Sequence, residues 1–172
     1  MARLTILEYP DPRLKRVASP VTEFTPELRQ LVADMAETMY AAPGIGLAAT
    51  QVDVHKQVIV IDVSETKDDL LVLINPKIVR AEGEVKGEEG CLSVPGYFDG
   101  VVRAERVTVE AQDLAGRGFT LDAEGLLAVC IQHEMDHLRG IVFVERLSQL
   151  KQLRFKARLA KRKREAAHRA AA

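Results

Sequence analysis

The pattern of hydrophobic positions along the 172-residue chain predicts a first helix after a short irregular segment. Thr25 suits the N-cap and Pro26 the first helical position, and apolar side chains then recur at helical spacing on one face. Those side chains are Leu28, Leu31, Val32, Met35 and Met39. Pro43 and Gly44 predict that the helix has ended before residue 43.

The centre of the chain contains short apolar runs separated by turn residues, which is typical of strands. Buried strands are predicted over residues 57–63 and 70–76, with the sequence KDD supplying the turn between them. Residues 85–95 read as extended but glycine-rich. Residues 106–125 read as a hairpin with AGRG at its turn.

An uninterrupted helical segment, LLAVCIQHEMDHLRG, covers residues 126–140 and ends at Gly140, a residue that suits the position after a helix. The tail from Ser148 onward also has helical propensity. Strands in the middle of the chain with helices at the start, near the end and at the end predict an α+β fold. We therefore expect antiparallel or mixed β-sheets around the central helix, followed by a C-terminal helix.

The length and composition of the chain are those of an ordinary globular protein. A chain of 172 residues is the size of one domain, so we predict a single domain over 1–172, with 148–172 as a basic C-terminal helix. The net charge of −1 predicts no general attraction to nucleic acid or to a membrane. The first residues lack the apolar region of a signal peptide, and two cysteines do not form a disulfide framework, so we expect a cytoplasmic protein.

The segment IQHEMDHLRG, residues 131–140, contains the pattern H-E-x-x-H. On a helix, His133 and His137 lie one turn apart on the same face and can bind one metal ion at about 2.0–2.1 Å each. Glu134 is rotated by about 100° from His133, so it can carry a proton beside the ion without binding it. Because the flanking segment LLAVCI is apolar, the helix is expected to be buried, where such polar groups need partners.

Two histidines do not complete a metal site, and the residues that follow offer no suitable third ligand. Phe143 stands where some H-E-x-x-H peptidases have a third histidine. Glu145 lies just past the end of the helix, and Glu165 lies in the basic tail. A zinc-peptidase ligand set downstream of His137 is therefore not favoured.

Upstream, Cys91 lies in the segment EEGCLSVPG, where two glycines and a proline predict a loop. A thiol beside acidic residues in a loop is not a typical core cysteine. Cys91 with His133 and His137 leaves one coordination position open, as in a catalytic site. Cys130, one turn before His133, is the alternative thiol, although it is more simply interpreted as a small core residue.

Three short motifs occur in order: GIGLAATQ at 44–51, EGCLS at 89–93 and QHEMDH at 132–137. Together they resemble the three motifs of bacterial peptide deformylases, and the resemblance extends from ILEYPDPRL to the tail helix. It implies a metal-dependent hydrolase that removes the formyl group from the N-terminal formyl-methionine of newly synthesised proteins and releases formate. It also implies Fe²⁺ in the cell, with Zn²⁺, Ni²⁺ or Co²⁺ as possible replacements.

The resemblance also implies roles for individual residues. Cys91, His133 and His137 hold the metal, and Glu134 acts as general acid/base while metal-bound hydroxide attacks the formyl carbon. Gln51 and the backbone N–H of Leu92 stabilise the oxygen of the reacting group. The remaining expected substrate contacts are Gly44, Ile45, Gly46, Glu89, Gly90, Leu126, Val129, Cys130 and Tyr97. Of these, Ile45, Leu126, Val129 and Cys130 are our candidates for the apolar pocket that a methionine side chain needs, and the last three are more simply interpreted as core residues.

The chain departs from the best-known family pattern at two places. Gly87 stands where a larger apolar residue is common, which predicts a looser rim of the methionine pocket. Tyr97 and Phe98 stand where some members carry an arginine near the substrate. We consider Arg103 as a substitute for that arginine.

The segment from Lys151 onward contains one acidic residue, Glu165, among many basic ones. A solvated surface helix is the simplest interpretation. Docking on the ribosome, where nascent N-formyl-methionyl peptides emerge, is the functional alternative, with no expected sequence-specific nucleic acid and no membrane. Two other functions remain alternatives: an H-E-x-x-H metallo-endopeptidase, and a non-catalytic ribosome-associated metal-binding protein.

Overall fold

The first long helix begins and ends where the sequence predicts, in a computed structural model that describes residues 2–171. Helix α1 spans Pro26–Ala41, and the hydroxyl of Thr25 accepts a hydrogen bond from the backbone N–H of Leu28 at 3.2 Å. The predicted apolar face packs against the core, with Leu28, Val32, Met35 and Met39 buried. This N-terminal cap satisfies one of the N–H groups that a helix leaves unpaired.

Five strands form one antiparallel sheet, which confirms the predicted β-structure in the middle of the chain. Their order in the sheet is β1 (Gly46–Ala48), β2 (Val58–Ile61), β3 (Leu71–Glu82), β6 (Arg106–Gln112) and β7 (Gly118–Glu124). Strand β3 continues six residues beyond its predicted end at Pro76. The register shifts between Ile74 and Lys77, so Pro76, which has no N–H to donate, falls in an irregularity of the ladder.

A separate hairpin of two antiparallel strands contains the segment that the glycine pattern predicts to be a loop. Strand β4 spans Val85–Cys91, β5 spans Val94–Arg103, and Cys91 pairs with Val94. Strands therefore replace the loop predicted around Gly90 and Gly96, in agreement with the extended chain predicted over 85–95, although the ladder leaves residues 95–98 unpaired and Gly96 has a φ of 72°. The turn of the hairpin lies between Cys91 and Val94, and the register shift between Glu89 and Cys91 places Gly90 in a bulge instead.

Helix α2, which carries the H-E-x-x-H pattern, spans Gly125–Leu138 and lies at the centre of the fold. Its inner face packs against the five-stranded sheet, where Ala128, Ile131 and Leu138 contact a core that includes Ile59 and Leu73. The expectation of a buried central helix is confirmed. Since the same helix also faces the β4–β5 hairpin, its histidines lie between the two sheets.

Helix α3, over Gln149–Ala171, follows the short helical turn Phe143–Arg146 and confirms the predicted C-terminal helix. Its one buried residue is Phe155, whose ring packs against Tyr97 and Tyr9 with centroid distances of 4.8 and 5.5 Å. The rest of α3 lies largely in solvent. Within residues 2–171, no helix has both the length and the apolar character to cross a membrane.

Candidate metal and catalytic site

The structure brings the three predicted metal ligands together from two different elements. His133 and His137 lie on α2, and Cys91 lies at the end of β4. One donor atom from each residue lies within 4.8 Å of the other two, and Cys91 Sγ is 3.3 Å from His137 Nε2. Ligand bonds of about 2.0–2.3 Å place tetrahedral ligand atoms roughly 3.3–3.8 Å apart, so this group fits a small divalent ion.

The alternative thiol, Cys130, does not join this group. It is a buried member of the core that packs around α2, and its Sγ lies 3.9 Å from the carbonyl oxygen of Ile45. Burial raises its pKa well above the ordinary value, with the Glu134 carboxyl contributing to the rise. A thiol held in its neutral form is a poor metal ligand, because the thiolate is the form that binds.

Glu89 orients one of the histidines. Its Oε1 lies 2.8 Å from Nδ1 of His133, which directs the other ring nitrogen toward Cys91 and His137. A carboxylate behind a ligating imidazole fixes the ring and raises its basicity. Glu89 was expected to contact substrate; it lines the cavity, but its carboxylate is already engaged by protein groups.

Arg103 joins the hairpin to α2 through a buried ion network. Its guanidinium donates two hydrogen bonds to Glu89, at 2.8 and 2.9 Å, and one to Asp136 at 2.6 Å. Asp136 also accepts hydrogen bonds from Arg146. Although burial alone raises a carboxyl pKa, these bonds outweigh it and hold the pKa values of Glu89 and Asp136 below their usual range.

Arg103 is therefore not available as a substitute for a substrate-binding arginine. It is 5% exposed and both of its partners are buried acids. In β5, alternate residues point to opposite faces, and the face that carries Arg103 points toward α2. The expectation that it contacts substrate is wrong, because its guanidinium joins the hairpin of Cys91 to the helix of His133 and His137.

The substitution Arg103→Leu is expected to lower the free energy of unfolding by about 3–5 kcal/mol, because it leaves two buried carboxylates without their shared partner. Urea unfolding of the metal-free protein measures this change. The matched control is Arg139→Leu, since Arg139 is a largely exposed partner of Asp136 at 3.6 Å and is expected to cost less than about 1 kcal/mol. Equal costs for the two variants would contradict the assignment.

Glu134 lies beside the ligands in a position suited to carry a proton. It is 4% exposed, and its Oε1 has no hydrogen-bond partner among the described residues. A methyl group placed on Gly46 would lie 2.6 Å from Glu134 Oε2, so a glycine is needed where β1 passes this carboxyl. Burial raises the pKa of Glu134 to about 7, against the opposing attraction of a protonated His133.

This raised pKa predicts a pH-dependent stability of the metal-free protein. The folded state holds the proton of Glu134 more tightly than the unfolded chain, so ionisation costs stability as the pH rises from 4.5 through about 7. Glutamine at position 134 carries no charge at any pH. The stability gained by Glu134→Gln is expected to grow from near zero at about pH 4.5 to about 3 kcal/mol at about pH 8. Urea unfolding of both proteins across this pH range tests the prediction. A difference in the free energy of unfolding that does not depend on pH would refute it.

The side-chain amide of Gln51 is fixed by neighbours on both sides. Its Oε1 accepts a hydrogen bond from the backbone N–H of Ala48 at 2.9 Å. Its Nε2 donates to Ser93 Oγ at 3.1 Å and lies 3.6 Å from Cys91 Sγ. The amide nitrogen therefore faces the candidate metal site, as a donor to a developing negative charge must.

An open cavity of about 630 Å³ leads from the surface to this group. Most of the expected substrate contacts line it: Gly44, Ile45, Gly46, Glu89, Gly90, Leu92, Leu126, Val129 and Cys130. Gly87 does not line it. The rim is open and largely apolar, since Ile45 and Leu126 are 42% and 57% exposed, and it also carries the exposed carboxylate of Glu88.

Tyr97 does not join the expected substrate contacts, and Phe98 takes its place in the cavity wall. Tyr97 is buried against Phe143 and Phe155 on the other side of β5. Phe98 is 61% exposed, lines the cavity and packs against Gly90. Neighbouring residues of a strand point to opposite faces, so only one of the two can face the cavity.

Sequence reasoning missed three polar residues that support the site: Ser93, Asp136 and Arg146. Asp136 offered a signal, because it lies within a helix predicted to be buried and a buried acid needs a cationic partner. Ser93 belongs to the motif EGCLS and is fully buried. Arg146 carried no signal, because its contact with Asp136 depends on the path of the chain after α2.

Comparison with known proteins gives consistent matches over most of the chain. The family profile described as polypeptide deformylase matches residues 3–153. Peptide deformylase 2 of Nitrosomonas europaea is 64% identical over 164 residues, which cover 95% of this chain and 89% of that protein. A peptide deformylase of Chromobacterium violaceum is 61% identical over 96% of this chain and 99% of its own length.

Solved structures show the same similarity in three dimensions. The crystal structure of a peptide deformylase from Legionella pneumophila has a TM-score of 0.91 and 49% identity, covering 96% of this chain and 98% of its own. The peptide deformylase of Ehrlichia chaffeensis, in complex with actinonin, has a TM-score of 0.89 and 43% identity. It covers 95% of this chain and 99% of its own.

Proposed function

The chain belongs to the polypeptide deformylase family, and from this premise we propose how its own residues carry out the family's reaction. It is a metal-dependent hydrolase that removes the formyl group from the N-terminal formyl-methionine of newly synthesised proteins. The observation that carries the mechanism is that donor atoms of Cys91, His133 and His137 lie within 4.8 Å of one another, beside a buried carboxyl and at the inner end of an open cavity. We propose that the chain acts as a single catalytic domain over 1–172.

The proposed metal ligands are Cys91, His133 and His137. Their support is the spacing of their donor atoms and the carboxylate of Glu89 behind His133, which leaves one imidazole nitrogen for an ion. A divalent ion held there supplies Lewis-acid chemistry, since it polarises a carbonyl group and lowers the pKa of a coordinated water. We propose Fe²⁺ in the cell, with Zn²⁺, Ni²⁺ or Co²⁺ as replacements, because a mixed thiolate and imidazole set suits these ions.

Glu134 is the proposed general acid/base. Its carboxylate accepts a proton from the water whose oxygen bonds to the formyl carbon, and it delivers that proton to the nitrogen of the leaving amine as the C–N bond breaks. Both steps are favoured by a pKa near neutrality, which the burial of this carboxyl produces. The products are formate and a peptide with a free amino terminus.

Gln51 and the backbone N–H of Leu92 are the proposed donors to the oxygen of the reacting formyl group. The support for Gln51 is the orientation of its amide, with Nε2 toward the ligand group. The support for Leu92 is its position next to Cys91 at the turn of the hairpin, where it lines the cavity. Fixed donors of this kind stabilise negative charge that develops only in the transition state.

The substrate chain is proposed to lie along the backbone of Gly44, Ile45 and Gly46, pairing as an added strand. A side chain on Gly44 would lie 2.7 Å from the side chain of Leu92, so a glycine suits the place where this wall packs against Leu92. The methionine side chain is proposed to enter the apolar part of the cavity formed by Leu126, Val129 and Cys130.

The geometry does not favour an endopeptidase that uses the same helix. Phe143, at the position of a third histidine, is 1% exposed and its ring packs 5.9 Å from that of His133. A purely metal-binding protein has no need of Glu134 or Gln51 in the places that they occupy. Both residues face the ligand group without being members of it.

Peptide turnover separates the three functions. The cobalt-loaded protein is expected to release formate from formyl-Met-Ala-Ser and to leave an N-acetylated peptide of the same sequence intact. Cleavage of internal peptide bonds in a longer substrate would support the endopeptidase instead. A fully metallated protein that gives no product from either peptide would support the metal-binding role.

Helix α3 is proposed to dock on the ribosome, close to where nascent chains emerge, which would place the reaction in the cytoplasm. Its support is a run of basic residues on a helix with one buried side chain. Exposed candidates for phosphate contacts are Lys161, Arg164 and Arg169. Glutamate at these three positions is expected to weaken salt-sensitive ribosome binding while formyl-Met-Ala-Ser turnover is retained.

The matched control reverses three exposed cations of the sheet, Lys77, Arg80 and Arg106, which lie far from α3 along the chain. If binding is insensitive to salt, or falls equally in the control, the docking proposal is wrong.

A further inference from the structure

Ser93 lies at the turn between β4 and β5 and reaches two groups of the site through separate atoms. It is fully buried. Its Oγ accepts a hydrogen bond from Nε2 of Gln51 at 3.1 Å, and its backbone N–H donates to Sγ of Cys91 at 3.4 Å. Its carbonyl oxygen accepts from the N–H of Tyr9 at 2.7 Å, which holds the turn against the N-terminal segment.

Only one orientation of the Gln51 amide gives hydrogen-bond partners to both its oxygen and its nitrogen. The N–H of Ala48 requires an oxygen on one side, and Ser93 Oγ accepts from a nitrogen on the other. Nε2 has two hydrogens, so the bond to Ser93 uses one and leaves the second directed toward Cys91 Sγ. The last side-chain torsion angle of glutamine takes a broad range of values, and the hydrogen bond to Ser93 restricts that range.

We propose that Ser93 is a positioning residue that acts through Gln51. Its hydroxyl fixes the Gln51 amide so that the second N–H, which faces Cys91 Sγ, points into the candidate metal site and is placed to donate to the oxygen of the reacting formyl group. This inference rests on the proposed role of Gln51 as a donor to that oxygen. Ser93 itself does not line the cavity.

Loss of the hydroxyl is expected to affect the chemical step more than substrate binding. Ser93→Ala removes one neutral hydrogen bond, which corresponds to about a fivefold fall in kcat. Because the Gln51 contact strengthens as charge develops on the oxygen, KM is expected to stay within about twofold. A general loosening of the turn would instead change KM and kcat together.

A double-mutant cycle tests whether the effect passes through Gln51. Gln51→Ala alone is expected to lower kcat by about 10²–10³-fold. In the Gln51→Ala background, Ser93→Ala is expected to change kcat by less than about 1.5-fold, because the group that it orients is gone. Ser93→Thr keeps the hydroxyl and is expected to retain the coupling to Gln51.

The matched control is Thr50→Val, which removes a buried hydroxyl that lies next to Gln51 in the chain. Thr50 Oγ1 has no hydrogen-bond partner among the described residues. A readout independent of turnover is the NMR signal of the Gln51 side-chain amide in the zinc-loaded protein. Ser93→Ala is expected to shift that signal and speed its hydrogen exchange, whereas Thr50→Val leaves both unchanged.

The outcomes separate this inference from the proposed function. If Gln51→Ala leaves kcat unchanged, the proposed role of Gln51 is wrong, and the inference falls with it. If Gln51→Ala lowers kcat but Ser93→Ala has the same effect in both backgrounds, or leaves the amide signal in place, Ser93 does not act through Gln51. A reduced effect in the Gln51→Ala background, together with the shifted signal, supports the inference.

Discussion

Replacing Glu134 by glutamine is expected to lower kcat for formyl-Met-Ala-Ser by about 10²–10⁴-fold, the usual contribution of a positioned acid/base. Glutamine has nearly the same shape but can neither accept the proton of the attacking water nor deliver one to the leaving amine. Since Glu134 is not a member of the ligand group, the metal-to-protein ratio is expected to stay unchanged. Formate release and elemental analysis on the same sample measure both quantities.

The control for Glu134 is Glu88→Gln. Glu88 is an exposed carboxylate at the rim of the same cavity, so it tests whether any nearby negative charge has the effect. Its replacement is expected to change kcat by less than about threefold, as for an exposed charge that pairs weakly. The assignment fails if the two variants lose activity equally, or if Glu134→Gln loses its metal.

Replacing Cys91 by alanine is expected to weaken metal binding by more than about 100-fold and to abolish formate release. Loss of a group that merely orients a ligand costs 10–100-fold in many sites, so loss of a ligand is expected to cost more. The remaining histidines, His133 and His137, leave the ion with two protein ligands, fewer than the three of the usual catalytic site. Competition with a chelator of known affinity measures the change.

Two variants serve as controls for Cys91. Cys130→Ala removes the other thiol, which faces the carbonyl of Ile45 and not the ligand group. Glu145→Gln removes the acid that follows α2, the position of a glutamate ligand in some peptidases. Both are expected to keep the metal affinity within about threefold, and a larger loss in either one would make it a competitor for the third ligand position.

The helix of the site could be predicted from the sequence because its geometry is local. The spacing of His133 and His137 fixes their common face once the segment is helical, and the apolar flank predicts burial. The N-cap at Thr25 is local in the same way. Such features depend on residues within one or two turns, so they survive in the folded chain.

The hairpin that carries Cys91 could not be predicted in detail, because its pairing depends on a distant strand. Gly90 and Gly96 suggest a loop, yet both lie within the strands of the hairpin, Gly90 in a bulge and Gly96 with a φ of 72° among residues that the ladder leaves unpaired. Phe98 lies on the face of β5 that points to the cavity, and Tyr97 lies on the other face. A register shift of one residue would exchange the two positions. Register of this kind is set by packing rather than by local sequence.

The network around Arg103 was also beyond prediction from the sequence. Its partners, Glu89 and Asp136, lie 14 and 33 residues away along the chain. A single arginine in a strand gives no sign that it lies between two buried acids, and the family pattern suggested a role at the substrate. Only the approach of the hairpin to α2 reveals that Arg103 joins these two elements.

The most direct test of the central claim, a metal centre with a thiolate from Cys91, is the absorption spectrum of the cobalt-loaded protein. A thiolate bound to Co²⁺ gives an intense sulfur-to-metal charge-transfer band that nitrogen and oxygen ligands do not give. The band is expected in the unmodified protein and in Cys130→Ala, and it is expected to be absent from Cys91→Ala at saturating cobalt. A band that survives in Cys91→Ala, or that disappears in Cys130→Ala, would contradict the proposed site.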